Sequence, residues 1–324
     1  MIVDFQIHYS PAELVRPKMS PDGSYRTFVR PDGSYDRYQP PLQDTLERHI
    51  QVMDVAGVDV AVLSSMAGLT QNLHQCRLVN DRLKEAEERY PGRIKGMAHT
   101  YPLGGSEAFA ELERCSSELG FRGAAMYNIV GDRELDDHAI WPFYEKLCDL
   151  GLFLFIHPYI KPGYAEFPDY DLSRSAYREC LLQCSLVRLI NGGVLDDFPE
   201  LKVVYSHLGG GIVANLARVL CYQDKDFWGT AGHPLAAKKC KRDFQEYLAM
   251  MYFDTGGVIA DLDAVKMALM KLSPRNLVFG TDYPYEIREP AIVRDFIQGI
   301  RELPLSRQEI DGILGENGRS LLSL

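Results

Sequence analysis

Eight short β-rich runs, each followed by a helix-like stretch, recur almost to the end of the 324-residue chain, and this alternation constrains the fold more than any other feature. The runs are Ile2–Phe5, Asp59–Ser65, Ile94–His99, Gly123–Tyr127, Leu152–His157, Lys202–His207, Met251–Thr255 and Asn276–Asp282. The middle ones are near-continuous apolar runs, as in parallel strands covered on both faces. Between the runs, apolar residues take a helical spacing. Leu46, Ile50 and Met53 recur at i, i+4, i+7, and Cys76, Val79, Leu83 and Ala86 at i, i+3, i+7, i+10. Such one-sided stripes pack on a sheet. Eight strand–helix units predict a (β/α)8 TIM-type barrel. A doubly wound open sheet is the alternative, and the count favours closure.

One segment interrupts the alternation. Residues 10–41, after the first run, contain Pro-Asp-Gly-Ser-Tyr twice, at Pro21–Tyr25 and Pro31–Tyr35. Asp-Gly turns followed by Tyr-Arg-Thr-Phe-Val and Tyr-Asp-Arg-Tyr predict a small β-hairpin insertion, a flap over the barrel mouth. A second long connection, Pro158 to Asp197, follows the fifth run. No flexible linker divides the chain, so residues 1–324 are expected to form one barrel domain carrying this flap.

Charge and cysteine content narrow the function classes. With 35 Lys+Arg against 45 Asp+Glu the chain carries −10, and it has no basic run, which argues against nucleic acid as a partner. The central apolar run Leu152–Ile156 is far short of the ~20 residues of a membrane span. The N-terminus reads as a strand rather than a signal peptide. Seven cysteines with no Cys-x-x-Cys pair fit a reduced, cytoplasmic protein with free thiols. Cys180 and Cys184, four apart on a predicted helix, read as a packing stripe.

In a barrel the residues ending each strand meet at one rim, and polar residues there read as catalytic. The first strand ends Asp4-Phe5-Gln6-Ile7-His8, the fifth at His157, the sixth at His207 before Leu-Gly-Gly-Gly, and the eighth at Gly280-Thr281-Asp282-Tyr283-Pro284. Period-2 alternation sets Gln6 and His8 on one side of their strand. Two imidazoles, a carboxylate and an amide oxygen suit one divalent ion, Zn²⁺ or alternatively Mn²⁺. His207 beside it has the chemistry of a general acid/base. The remaining histidines, His49, His74, His99, His138 and His233, read as structural or exposed. The Gly209–Gly211 run lacks the spacing of a phosphate loop and reads as a tight strand-to-helix turn.

Taken together, Asp-x-x-x-His, His-Pro, Ser-His-Leu-Gly-Gly-Gly, Phe-Asp-Thr, Gly-Thr-Asp-Tyr-Pro and the Gly315–Leu322 tail resemble the amidohydrolase superfamily over the whole chain. The likeness is closer to its amidohydrolase-related branch, with aminocarboxymuconate-semialdehyde decarboxylase, γ-resorcylate decarboxylase and 4-oxalomesaconate hydratase. The resemblance implies a mononuclear metal site of Gln6, His8, His157 and Asp282, with His207 and Asp282 as proton-transfer groups. Gln6 departs from the branch, which has His or Glu there. A neutral amide is a weaker ligand, and it can instead hydrogen-bond a bound water or the substrate. The resemblance also implies carboxylate-binding arginines: Arg218, eleven residues past His207, reaching a neighbouring subunit, and Arg26 or Arg37 in the hairpin. A planar guanidinium pairs a carboxylate bidentately, and sharing one across subunits implies a homodimer. Tyr9, Tyr159, Tyr283 and Tyr285 follow strand ends, with Tyr283 expected against the substrate.

The leading expectation is a metal-dependent non-oxidative decarboxylase, a carbon–carbon lyase acting on an aromatic or ene-type carboxylic acid. The second is a hydrolase or hydratase acting on a lactone, amide or enol acid, which the His8-Tyr9-Ser10 stretch keeps open. The third is a metal-free barrel that binds an acid without turning it over, which Gln6 invites.

Overall fold

The computed structural model describes residues 1–18, 26–29, 35–38, 43–159, 169–223 and 238–324. The predicted strands are present: β1 (Val3–His8), β2 (Val60–Ser64), β3 (Ile94–Gly96, resuming at Ala98–His99), β4 (Gly123–Tyr127), β5 (Phe153–His157), β6 (Val203–Tyr205), β7 (Tyr252–Asp254) and β8 (Leu277–Val278). All neighbours pair in parallel, in chain order. Across the break at Met97, its backbone N–H still donates to Leu63 O of β2.

Closure is carried by the backbone between β1 and the segment after β8. Phe5 N–H donates to Phe279 O (2.8 Å), Asp282 N–H to Gln6 O (2.9 Å) and His8 N–H to Tyr283 O (2.8 Å). With the Ile7–Tyr283 bridge these bonds join the last strand to the first, so the sheet is a closed barrel rather than the open alternative. The helices α1 (Leu46–Ala56), α2 (Leu73–Arg89), α3 (Gly105–Ser117), α4 (Trp141–Leu150), α5 (Arg178–Asn191), α6 (His207–Gln223), α7 (Leu262–Leu269) and α8 (Pro290–Arg301) follow the eight strands in turn. Each lays an apolar stripe on the sheet, as Cys76, Val79, Leu83 and Ala86 of α2 do.

Two apolar layers result. Val3, Phe5, Val62, Met97, Ala125, Phe153, Phe155 and Val204 form one cluster that fills the barrel, and the rings of Phe5 and Phe153 lie 5.2 Å apart. Ile7, Ala61, Leu63, Ala124, Leu154, Ile156 and Tyr205 belong to a second cluster with the helices.

Simple alternation would put Phe5 inside and Gln6 and His8 outside. The register of β1 against β2 shifts between Asp4 and Ile7, and this bulge rotates the rest of the strand so that Gln6 and His8 turn inward. Asp4 clamps the bulge. Its Oδ1 accepts from the Gln6 (3.2 Å) and Thr281 (3.1 Å) backbone N–H groups, and its Oδ2 from the Thr281 hydroxyl (2.6 Å). Burial pushes its carboxyl up to about 8 against those bonds.

Two strands end two or more residues before their expected ends. The sixth ends at Tyr205 because His207 and Leu208 take positive φ (53° and 52°), opening a left-handed turn that Gly209–Gly211 continue at 65–71° before α6 proceeds. Three consecutive glycines carry that conformation without a Cβ penalty. The eighth loses regular pairing after Val278 because Asp282, at φ 58°, bends the chain and swings its carboxylate across the mouth.

The hairpin of the insertion is present, Arg26–Val29 pairing antiparallel with Tyr35–Tyr38. The side chains of Arg26 and Arg37, the flap's placement and His233 lie outside the described residues. No described helix is long and apolar enough to cross a membrane. All seven cysteines are free, and Cys180 and Cys184 are exposed on α5 rather than packed in the core.

Because Asp4 holds β1 to the segment after β8, Asp4→Ala is expected to lower stability by about 2–4 kcal/mol, leaving buried N–H donors unpaired. Thermal denaturation beside Asp4→Asn, which keeps an acceptor, checks this. The asparagine variant should recover most of the loss.

Candidate active site and metal centre

At the rim, residues from β1, β5 and the segment after β8 converge. His8 Nε2 lies 2.7 Å from Asp282 Oδ1, and the His8 and His157 rings are edge to face at 5.0 Å. One ligand atom from each of His8, His157 and Asp282 lies within 4.8 Å of the others, and all three residues are buried.

Each imidazole is fixed by its other nitrogen. His157 Nδ1–H donates to Pro158 O (2.8 Å), so Nε2 carries the lone pair. Burial holds this ring well below the usual imidazole range, which keeps it neutral. His8 Nδ1 is 2.9 Å from Ser64 Oγ. Both Nε2 atoms are buried without a hydrogen-bond partner, and the close His8–Asp282 approach is not aligned as a hydrogen bond. A buried lone pair without a partner is costly. Two such nitrogens facing one carboxylate are a donor set suited to a divalent cation. The donor set therefore fits the metal that the sequence implies.

Asp282 is held in its charged form. Burial opposes the charge, but the close approach of His207 and His8 outweighs it and keeps the carboxyl far below its usual range. His207 stands on the other side, its Nε2 3.6 Å from Asp282 Oδ2. Its Nδ1 meets both oxygens of Glu179, at 3.0 and 3.1 Å. Burial alone would make the imidazole neutral, yet the Glu179 charge and the bonds to Asp282 and Glu179 push it up to about 10. Burial likewise opposes the Glu179 charge, and His207 and Arg178 bring its carboxyl down to about 2. Arg178 Nε bonds Glu179 (2.9 Å) and its Nη2 bonds Glu286 (3.1 Å), tying the start of α5 to the loop after β8.

Glycines make the fit possible. A Cβ at Gly210 would overlap the Glu179 backbone on α5, so the left-handed turn packs directly on the helix that carries Glu179. A Cβ at Gly256 would overlap the Gln6 amide, and one at Gly257 the His207 ring. Asp254, at the end of β7, accepts from the His207 backbone N–H (3.0 Å) and the Gly256 N–H (2.8 Å). Burial pushes its carboxyl up to about 7, against the lowering by His207 and those bonds.

The sequence-derived residues fall into groups. His8, His157, Asp282 and His207 come together as expected. Gln6, fully buried, lies beside His207 and Asp254. Tyr283 is buried with its ring edge on to His49 at 5.2 Å, and Tyr9 also turns toward His49. His49 itself is buried, its Nε2 3.0 Å from His8 O. Tyr285 is the tyrosine that meets His8, at 5.1 Å, and Tyr159 packs on Tyr127 at 4.5 Å, next to His157. Arg218 is exposed on α6, its guanidinium over the ring of Tyr222 at 5.1 Å.

Glu179, Arg178 and Glu286 were missed. They sit in no motif, and their relation to His207 exists only through the packing of α5 on the glycine turn. Asp254 and Gly256 stand in or beside Phe-Asp-Thr, a stretch noticed for its likeness but given no role.

A closed (β/α)8 barrel with a rim site of two strand-end histidines, one aspartate and a facing histidine is the architecture of a metal-dependent amidohydrolase-type enzyme. The chain belongs to the amidohydrolase family, whose model matches residues 3–324. It is 28% identical over 286 residues to 2-amino-3-carboxymuconate-6-semialdehyde decarboxylase of Dictyostelium discoideum, covering 85% of this chain and 76% of that one. It is 26% identical over 269 residues to γ-resorcylate decarboxylase of Polaromonas sp., covering 76% and 78%. Among solved structures it is similar to 5-carboxyvanillate decarboxylase of Novosphingobium aromaticivorans, complexed with manganese and a nitrobenzoic acid. That match has a TM-score of 0.84 at 22% identity, over 100% of this chain and 96% of that chain.

Replacing Glu179 by Gln removes the charge behind His207. Turnover is expected to fall roughly tenfold to a hundredfold, as for other residues that orient a reacting group. A protonated His207 is lost as pH rises through its pKa, and removing Glu179 lowers that pKa. The alkaline limb of the pH–rate profile should therefore move to lower pH. An unmoved limb would remove Glu179 from this role.

Proposed function

We propose that the protein is a metal-dependent non-oxidative decarboxylase of an aromatic or ene-type carboxylic acid. The observation that carries this is the pairing of a three-residue cation site with a proton donor across one carboxylate: His8, His157 and Asp282 on one side, His207 on the other.

His8 Nε2, His157 Nε2 and an Asp282 oxygen are the metal ligands in this reading. A divalent cation held there supplies Lewis-acid polarisation of a substrate oxygen next to the reacting carbon. His207, held as imidazolium by Glu179, donates its Nε2 proton to the carbon bearing the carboxylate. The C–C bond to the carboxylate then breaks, its electron pair returns to the ring or ene system, and CO2 leaves. Asp282 stabilises the imidazolium before transfer, and a proton from solvent restores it afterwards, so each turnover consumes one proton. Tyr285 beside His8 and Tyr127 with Tyr159 beside His157 offer ring faces to a flat substrate.

Zn²⁺ and Mn²⁺ both suit two imidazoles and a carboxylate. The manganese in the carboxyvanillate decarboxylase makes Mn²⁺ the first to test. The exposed position of Arg218 on α6 suits contribution to a neighbouring subunit's substrate, with Arg26 and Arg37 of the flap as further carboxylate partners in a homodimer. A small carboxylic acid is the expected partner, without nucleic acid or membrane, and the free cysteines favour a cytoplasmic location.

The test is CO2 release from a panel of hydroxybenzoates, aminobenzoates and muconate-like acids by enzyme loaded with one divalent ion per chain. His207→Ala is expected to lose roughly 10²–10⁴-fold in turnover while keeping its metal. Chelation should abolish turnover, and Mn²⁺ should restore it. Incorporation of water into the product without CO2 release would replace this reading with the hydrolase or hydratase.

A further inference from the structure

The site has one residue whose use is open. Gln6 is fully buried, and the proposed reaction gives it no role. Its amide lies between Asp254 and His207. With the nitrogen toward Asp254, it donates to Oδ1 (2.9 Å) and Oδ2 (3.0 Å), and its oxygen accepts from His207 Nε2 (3.2 Å). The reverse orientation would set an amide oxygen against two carboxylate oxygens and is disfavoured by donor–acceptor matching.

Both ends of the amide are therefore engaged. Its nitrogen faces both oxygens of one carboxylate, and that carboxylate is itself anchored by the backbone N–H groups of His207 and Gly256. The missing Cβ at Gly256 leaves the space in which the amide lies. Position 6 and position 254 depend on one another. A glutamate at 6 would bring two buried carboxylates to about 3 Å, a like-charge contact in a low dielectric.

Resting on the proposed reading of this site as a metal centre, we infer that Gln6 is not a metal ligand but a tether. It links Asp254 to His207 Nε2 and sets the direction in which His207 presents its proton. The cation is then held by His8, His157 and Asp282 alone, and the coordination position that a fourth protein ligand would fill is open to solvent or to a substrate oxygen. Gln6 is a positioning residue, acting through His207.

The test compares wild-type protein with Gln6→Leu and Gln6→Asn. Mn²⁺ affinity is measured by isothermal titration, and Mn²⁺-bound waters are counted by broadening of its paramagnetic resonance signal in ¹⁷O-enriched water. A tether predicts Mn²⁺ affinity within about threefold of wild type and an unchanged water count. It also predicts a kcat at least tenfold lower with KM little changed, and partial recovery of kcat in Gln6→Asn relative to Gln6→Leu. A tenfold or greater loss of Mn²⁺ affinity, with one additional bound water, overturns the inference and makes Gln6 a ligand. Should Gln6→Leu not fold, Gln6→Asn decides the same question, since a ligand shortened by one methylene would surrender the ion. If wild-type protein binds no Mn²⁺ or Zn²⁺ at all, the metal-centre reading fails first, and this inference with it. Loss of affinity confined to the variants overturns the tether alone.

Discussion

The join between the last strand and the first is the constraint on which the rim depends. Three backbone hydrogen bonds, Phe5 to Phe279, Asp282 to Gln6 and His8 to Tyr283, bring residues some 275 positions apart in sequence into one sheet. They also set the carboxylate of Asp282 beside the ring of His8. The bulge that turns Gln6 and His8 inward lies in the same first strand, and the clamp that holds it, Asp4 on Thr281, spans the two joined segments. Fold closure and site assembly are one event here. A barrel that failed to close would part Asp282 from His8 and His207 together, because Asp282 belongs to the closing segment.

Around that join the chemistry separates by charge. Neutral imidazole is favoured at His157, where burial disfavours protonation. Imidazolium is favoured at His207, where two carboxylates outweigh burial. Two histidines within one pocket thus take opposite roles, one with a free lone pair and one with a held proton, and the difference lies in their neighbours. Arg178 stabilises the Glu179 charge that keeps His207 protonated, and ties the start of α5 to the loop after β8.

Much of this was legible from residue order, for physical reasons. Buried parallel strands must be apolar throughout, so the eight strands announced themselves, and polar residues at their ends stood out against that background. His8, His157, His207 and Asp282 were visible on that ground alone. The inward turn of His8 was right for an incomplete reason: alternation pairs it with Gln6, but only the bulge places both inside. What was illegible depends on packing between distant segments. Glu179 reaches His207 because Gly210 lets α5 approach the left-handed turn, and no local pattern encodes that approach. Tyr283, adjacent to Asp282, looked like a substrate contact, yet the bend at Asp282 turns its ring down against His49. Gly256 and Asp254 acquire meaning only once Gln6 is seen between them and His207.

The central claim is that His8, His157 and Asp282 grip a single divalent cation at the barrel rim. Anomalous diffraction from crystals grown with Mn²⁺ tests it most directly. The account predicts one strong peak at the rim, about 2.0–2.2 Å from His8 Nε2, His157 Nε2 and an Asp282 oxygen. No peak among these residues at saturating metal, or a peak bound elsewhere in the chain, would contradict it.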